Sequence, residues 1–157
     1  MIIVPNENCK IHALSLFKNE TVLLIKQWQN MLLEQTSFSI SSSAIIKHLL
    51  LLEHHSPLVP TIEKHIKYIY EHALDLDLLQ SSHYPNTAWI SEITKSLQSK
   101  LHHHKLIHPA ELSLFLTKQS ENIDCLYPSI EHFGFEQYNN STKLFLKRFS
   151  TPKKVEK

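Results

Sequence analysis

Twelve histidines in 157 residues are the side chains whose type and spacing first suggest chemistry. Imidazole titrates near neutrality, so it can shuttle protons, and its neutral form ligates transition metals. His65 and His72 flank an apolar stripe in a helical pattern, and His104 continues a second stripe through Leu101. His108 follows four residues later, on the same face if the helix runs on into Pro109. With Glu111, these residues compose a candidate metal centre of His65, His72, His104, His108 and Glu111 that would take iron or zinc. The pairs Glu53-His54 and Glu131-His132 could add ligands. A dinuclear centre in a helical bundle needs Glu-x-x-His on two helices. Here only the reversed His108-x-x-Glu111 is present, at a helix start where Glu111 has a capping role, and HExxH is absent. The favoured reading therefore has no cofactor: the imidazoles decorate helix shoulders, and His102 to His104 oppose the negative pole of a helix end.

Nucleophilic chemistry is no better supported. Cys9 and His12 lie one helical turn apart near a helix start, where a thiolate gains from the dipole. Asp75 and Asp77 are two apart, which sends them to different helix faces and makes them poor acid-base partners. No catalytic residue is assigned. Gly134 is the only glycine, and this removes the P-loop, the dinucleotide fingerprint and the nucleophile elbow, each of which needs glycine for a sharp turn or close approach.

Charge narrows the partners further. Sixteen Lys plus Arg against fifteen Asp plus Glu leave no global field to recruit nucleic acid or an acidic membrane. Arg148 is the only arginine, so bidentate reading of guanine is not available in quantity. Cys9 and Cys125 lie far apart with no CxxC spacing and read as free thiols of a reducing compartment. The apolar runs Val22 to Ile25 and Leu49 to Leu52 are far below the roughly 20 residues of a membrane span. Met1 to Val4 followed by Pro5 lacks the regions of a secretory leader. A cytoplasmic protein is expected, although export by a leaderless specialised system would leave the same pattern.

The elements that must position these groups read as helices. Leu14, Phe17, Leu24, Trp28, Met31 and Leu32 recur at helical spacing, with a break at Asn19 as an available N-cap. Ser37 to Ser43 end that segment, and Ser43 caps an apolar, central helix over Ala44 to His55. Pro57 and Pro60 open a third helix with the stripe Ile62, Ile66, Ile69, Ala73 and Leu76. Ile90, Ile93, Leu97 and Leu101 give a fourth stripe; His108, Pro109 and Glu111 start a fifth through Leu112, Phe115, Leu116 and Ile123. Beyond Pro128, the rings of Tyr127, Phe133, Phe135 and Tyr138 crowd around Gly134, before an amphipathic piece from Lys143 to Phe149.

The expectation is an all-α fold: residues 1–150 form a single-domain irregular bundle of about five to seven helices, and 151–157 a basic, disordered tail. The function expected is that of a small non-enzymatic adaptor or regulatory protein that binds another protein, with a homodimer among its forms. Tyr127, Phe133, Phe135, Tyr138 and Arg148 are the candidate partner-binding residues, because aromatic side chains and arginine anchor interfaces. Two alternatives stand beside it: the metal-binding bundle above, and a nucleic-acid-associated protein using the C-terminal cations Lys143, Lys147, Arg148, Lys153 and Lys154.

Overall fold

The computed structural model describes residues 1–125, 127 and 129–155; Pro128, where the sequence pattern changes, and Glu156 and Lys157 of the basic tail lie outside the described residues. Two compact units emerge: a sheet unit of Met1–Thr36 with Ser113–Lys157, and a helical unit of Ser37–Leu112. The chain begins with β1 (Ile2–Val4), α1 (Glu7–Leu16), β2 (Val22–Leu24) and α2 (Ile25–Leu33). The helical unit follows, with β3 (Ser39–Ile40), α3 (Ser43–Leu51), α4 (Val59–Glu71), α5 (Leu76–Gln80), α6 (Pro85–His103) and β4 (Leu106–Ile107). Then come α7 (Leu112–Lys118), β5 (Glu131–His132), α8 (Asn140–Phe149) and β6 (Thr151–Pro152).

This is a mixed α/β chain, which corrects the all-α bundle of five to seven helices: the described residues carry eight helices, a four-strand parallel sheet and a two-strand sheet. The physical reason is the length and burial of the strands. Ile2, Ile3 and Val4 are fully buried, so β1 has no polar face and shows none of the alternation that marks a half-exposed strand. Val22–Leu24, which the helical spacing absorbed into one long amphipathic segment, instead forms β2 in parallel register with β1.

In the sheet unit the strand order is β2-β1-β5-β6, all parallel. Helix α1 links β1 to β2, and α8 links β5 to β6, as parallel pairing demands. Asn6 Oδ1 accepts from Cys9 N at 2.9 Å to start α1, and Asn139 Oδ1 accepts from Thr142 N at 3.0 Å to start α8. Ile2 and Val4 pack in one cluster with Ala13 and Val22, joined by Cys9, Phe17, Leu24 and Phe133. By strand alternation Ile3 faces the other way. Trp28 of α2 stacks with Phe145 of α8 at 5.1 Å, and Phe145 with Phe149 at 4.9 Å. Thr151 to Lys153, which the sequence pattern puts in the tail, are held by β5: Thr151 N donates to Ile130 O at 3.1 Å and Lys153 N to His132 O at 2.8 Å.

In the helical unit, α4 buries Val59, Ile62, Ile66, Ile69 and Tyr70, as the stripe of isoleucines requires. Its end differs from the expected continuation to Leu76. Ala73 adopts φ 52°, Leu74 N returns to Ile69 O at 3.0 Å, and Asp75 then caps the separate helix α5. Helix α3 starts after Ser42, whose hydroxyl accepts from Ile45 N at 3.3 Å. It buries Ile46 and Leu50 but leaves Ile45 and Leu51 exposed, so it is not the central helix its composition suggests. Ser39–Ile40 pair with Leu106–Ile107 in parallel, close beside the end of α6.

Candidate functional site

The histidines separate rather than gather. His65 is exposed on α4, His72 is the C-cap of that helix with its ring 4.1 Å from Tyr68, and His104 is the exposed C-cap of α6. Among the described residues no group of three or more His, Cys, Asp or Glu is placed to hold a metal ion. Glu53 is paired with Lys100 at 2.6 Å, and His54 meets Trp89 edge-on. Cys9 packs under Gly134 and His12 lies against the Phe133 ring, both in packing roles. Asp75 caps α5, while Asp77 pairs with Lys95. Both cysteines are free.

His108 and Glu111 do become neighbours, in a buried polar cluster that holds the turn Pro109–Glu111 inside the helical unit. His108 Nδ1 accepts from Ala110 N at 3.0 Å, which makes the histidine the cap of that turn and places its proton on Nε2. Its ring lies 5.4 Å from Tyr70. Burial, with a smaller push from the Lys67 charge, lowers its pKa to about 4, so the ring is neutral at physiological pH. Glu111 Oε1 accepts from Gln98 Nε2 at 2.9 Å and lies 2.9 Å from His102 Nε2. Its other oxygen, Oε2, is buried without a hydrogen-bond partner among the described residues. Burial raises the Tyr70 phenol well above its usual range, and the Glu111 charge adds to the shift. The capping role expected for Glu111 falls to His108 instead, and the carboxylate ties α6 to the turn.

On the outside of the same unit the chemistry inverts. Most of the exposed large apolar side chains lie here, among them Leu58, Tyr68, Leu78, Tyr84 and Trp89. Leu58, Ile62 and His65 face Thr87, Trp89 and Ile90 across a groove of about 370 Å³ between the first turns of α4 and α6. A second hollow, lined by Lys64, His65, Lys67, Tyr68 and Glu71, shares His65 and carries the groove along α4. Trp89, one residue ahead of the stripe Ile90, Ile93, Leu97 and Leu101, is 43% exposed here. It sits at the margin of that stripe, since α6 buries Ser91, Ile93, Thr94, Leu97 and Leu101.

The aromatic residues proposed as anchors are folded onto the sheet unit. Phe133 meets Phe17 edge-on at 5.5 Å, and Phe135 is buried between His132 and Tyr138. Tyr127 is half-buried, and exposed Arg148 donates from Nε to Ser120 Oγ at 2.8 Å. Beside Phe135 a cavity of about 440 Å³ is lined by His132, Phe135, Lys143, Leu146, Lys147, Ser150 and Pro152. His132 Nδ1 lies 2.8 Å from Ser150 Oγ, whose own proton goes to Leu146 O at 2.7 Å. Leu146 O also accepts from Ser150 N at 2.8 Å, and the roles of the two His132 nitrogens depend on the tautomer. Burial lowers the pKa of His132, favouring the neutral ring. Lys143 and Lys147 make no ion pair among the described residues, whereas Lys153 is held by Glu131 at 3.0 Å and Glu20 at 3.5 Å. Like charges four apart on a helix cost about 0.2–0.5 kcal/mol in the absence of a counter-ion.

Ser150, Gln98 and the groove role of Trp89 were missed from sequence. The first two act through partners brought close only by the fold; Trp89 alone left a signal, its marginal place on the stripe. No helix among the described residues is long and apolar enough to cross a membrane. No family model matches the chain, and no curated protein matches it.

Proposed function

We propose that this chain is a non-enzymatic adaptor of the cytoplasm that acts through protein–protein contact, with its helical unit receiving an acidic amphipathic helix of another protein. The observation that carries this reading is the half-exposed Trp89 beside Leu58, Ile62 and Ile90 in a preformed groove. Helix-in-groove recognition uses apolar anchors one turn apart against such a surface, and tryptophan is the side chain that most often dominates the binding energy. The charge of the occupant follows from the rim. Lys64 makes no ion pair among the described residues, and Lys67 is held only loosely by Glu71 at 3.7 Å.

A photo-crosslinking side chain placed at exposed Thr61 tests the reading in native cells. The expected result is one discrete adduct with an acidic, helix-forming protein, reduced at least about 10-fold by Trp89→Glu, as loss of a central aromatic anchor predicts. An adduct at twice the chain mass would assign the groove to a homodimer. Absence of any discrete adduct, or one indifferent to Trp89→Glu in a variant with unchanged circular dichroism, overturns the reading.

A further inference from the structure

We infer that the cavity in the β5–α8–β6 crossover is a binding site for a small phosphomonoester, with Lys143 and Lys147 taking the phosphate and His132 hydrogen-bonding a ligand hydroxyl. Three observations converge. The cavity, at about 440 Å³, lies within the ~300–1,000 Å³ range of small-molecule sites. Two lysines four residues apart on α8 line it without a carboxylate partner among the described residues, while Lys153 just beyond β6 is fully engaged. Two lysines lining one cavity match the near-double negative charge of a phosphomonoester better than the single charge of a carboxylate or a phosphodiester.

The hydrogen-bond chain then specifies the rest of the ligand. The His132 ring lines the cavity and is tied through Nδ1 to Ser150 Oγ at 2.8 Å, which leaves Nε2 for the ligand. An imidazole nitrogen in either tautomer is answered by a hydroxyl on the ligand body, which both donates and accepts. Phe135, Leu146 and Pro152 complete the lining with apolar surface, against which the carbon face of a sugar packs. A polyhydroxylated phosphate ester of sugar size satisfies all of these groups together.

Titration of the full isotope-labelled chain by NMR, with ribose 5-phosphate, inorganic phosphate and a short single-stranded DNA as separate probes, tests the site. Ribose 5-phosphate is expected to give saturable shifts at the His132 ring and at the α8 amides, with at least tenfold higher affinity than inorganic phosphate. Lys143→Ala with Lys147→Ala should abolish saturation, whereas Arg148→Ala, which removes a cation outside the cavity, should leave it within twofold. Lys147→Glu provides a second disruption that keeps a long helix-forming side chain. Equal affinity for phosphate and the ester, no saturation in the millimolar range, or binding of the oligonucleotide alone with steep salt dependence would each overturn the inference.

Discussion

The sheet unit and the helical unit distribute polarity in opposite ways. In the sheet unit the interior is built on Ile2, Trp28 and Phe145, with Gln29 hydrogen-bonded to Ser113 inside it, and Lys143 and Lys147, without an ion pair among the described residues, stand at a cavity open to solvent. In the helical unit a carboxylate, a histidine and a phenol are sealed inside at Glu111, His108 and Tyr70, while Leu58, Tyr68 and Trp89 remain outside. Polar groups at a surface hollow can be answered by a small anion; apolar groups at a surface groove can be answered only by another apolar surface. One chain thus presents two kinds of recognition surface.

The sharpest way to break this contrast is to damage the aromatic core of the sheet unit. Phe145 is fully buried and touches both Trp28 and Phe149, so Phe145→Ala removes the centre of an aromatic stack. The expected cost is about 3–5 kcal/mol, read from denaturant midpoints at constant slope. A loss below about 1 kcal/mol would mean the sheet unit is not organised around that stack.

The polar interior of the helical unit predicts a pH dependence that the aromatic core of the sheet unit does not supply. His108 has a folded-state pKa of about 4 against an ordinary 6.5, so the unfolded chain binds its proton first as pH falls. Stability from this residue is complete above pH 6.5 and is lost progressively as pH drops toward 4. At about 1.4 kcal/mol per unit the loss approaches about 3 kcal/mol. His108→Asn keeps a side chain that can cap the turn but cannot be protonated there, so it should flatten the slope between pH 6.5 and 4. An unchanged slope would assign the acid sensitivity to other groups.

Legibility in the sequence followed the range of the interactions. Ile62, Ile66 and Ile69 announced the buried face of α4 because a helix satisfies its own backbone and shows its period locally. The start at His108, Pro109 and Glu111 was legible for the same reason. Ile2 to Val4 was not, since three residues buried on both faces carry no alternation and find their partners at Val22 and Glu131 through the fold alone. His132 and Ser150 come together because β5 and β6 run parallel across the α8 crossover, and Glu111 meets Gln98 and His102 across a helix end. Neither set has a spacing rule that a single sequence displays. Tyr127, Phe133 and Tyr138 are half-buried and Phe135 is buried, a division that composition does not display and packing decides.

The scarcity of glycine gives the finest comparison between the units, because each contains a left-handed residue and only one of them is glycine. In the sheet unit Gly134 sits at φ 89°, and an added Cβ would meet Cys9 Sγ at 3.0 Å and Pro5 Cδ at 3.4 Å. Gly134→Ala combines strain with a clash against packed groups and should destabilise by about 1–3 kcal/mol. In the helical unit the same backbone region is occupied by Ala73 after α4 and by Lys105 after α6, at φ 52° and 57°. There the strain is already present, at about 1 kcal/mol for each residue. Replacing Ala73 with glycine relieves it without removing the Leu74 N to Ile69 O bond that closes the helix. Part of the gain is offset by the greater freedom of glycine in the unfolded chain, so Ala73→Gly should stabilise by only about 0.5 kcal/mol, a rise of roughly 1–2 °C in melting temperature. A fall in melting temperature would mean that the methyl group of Ala73 contributes more by packing than its left-handed backbone costs.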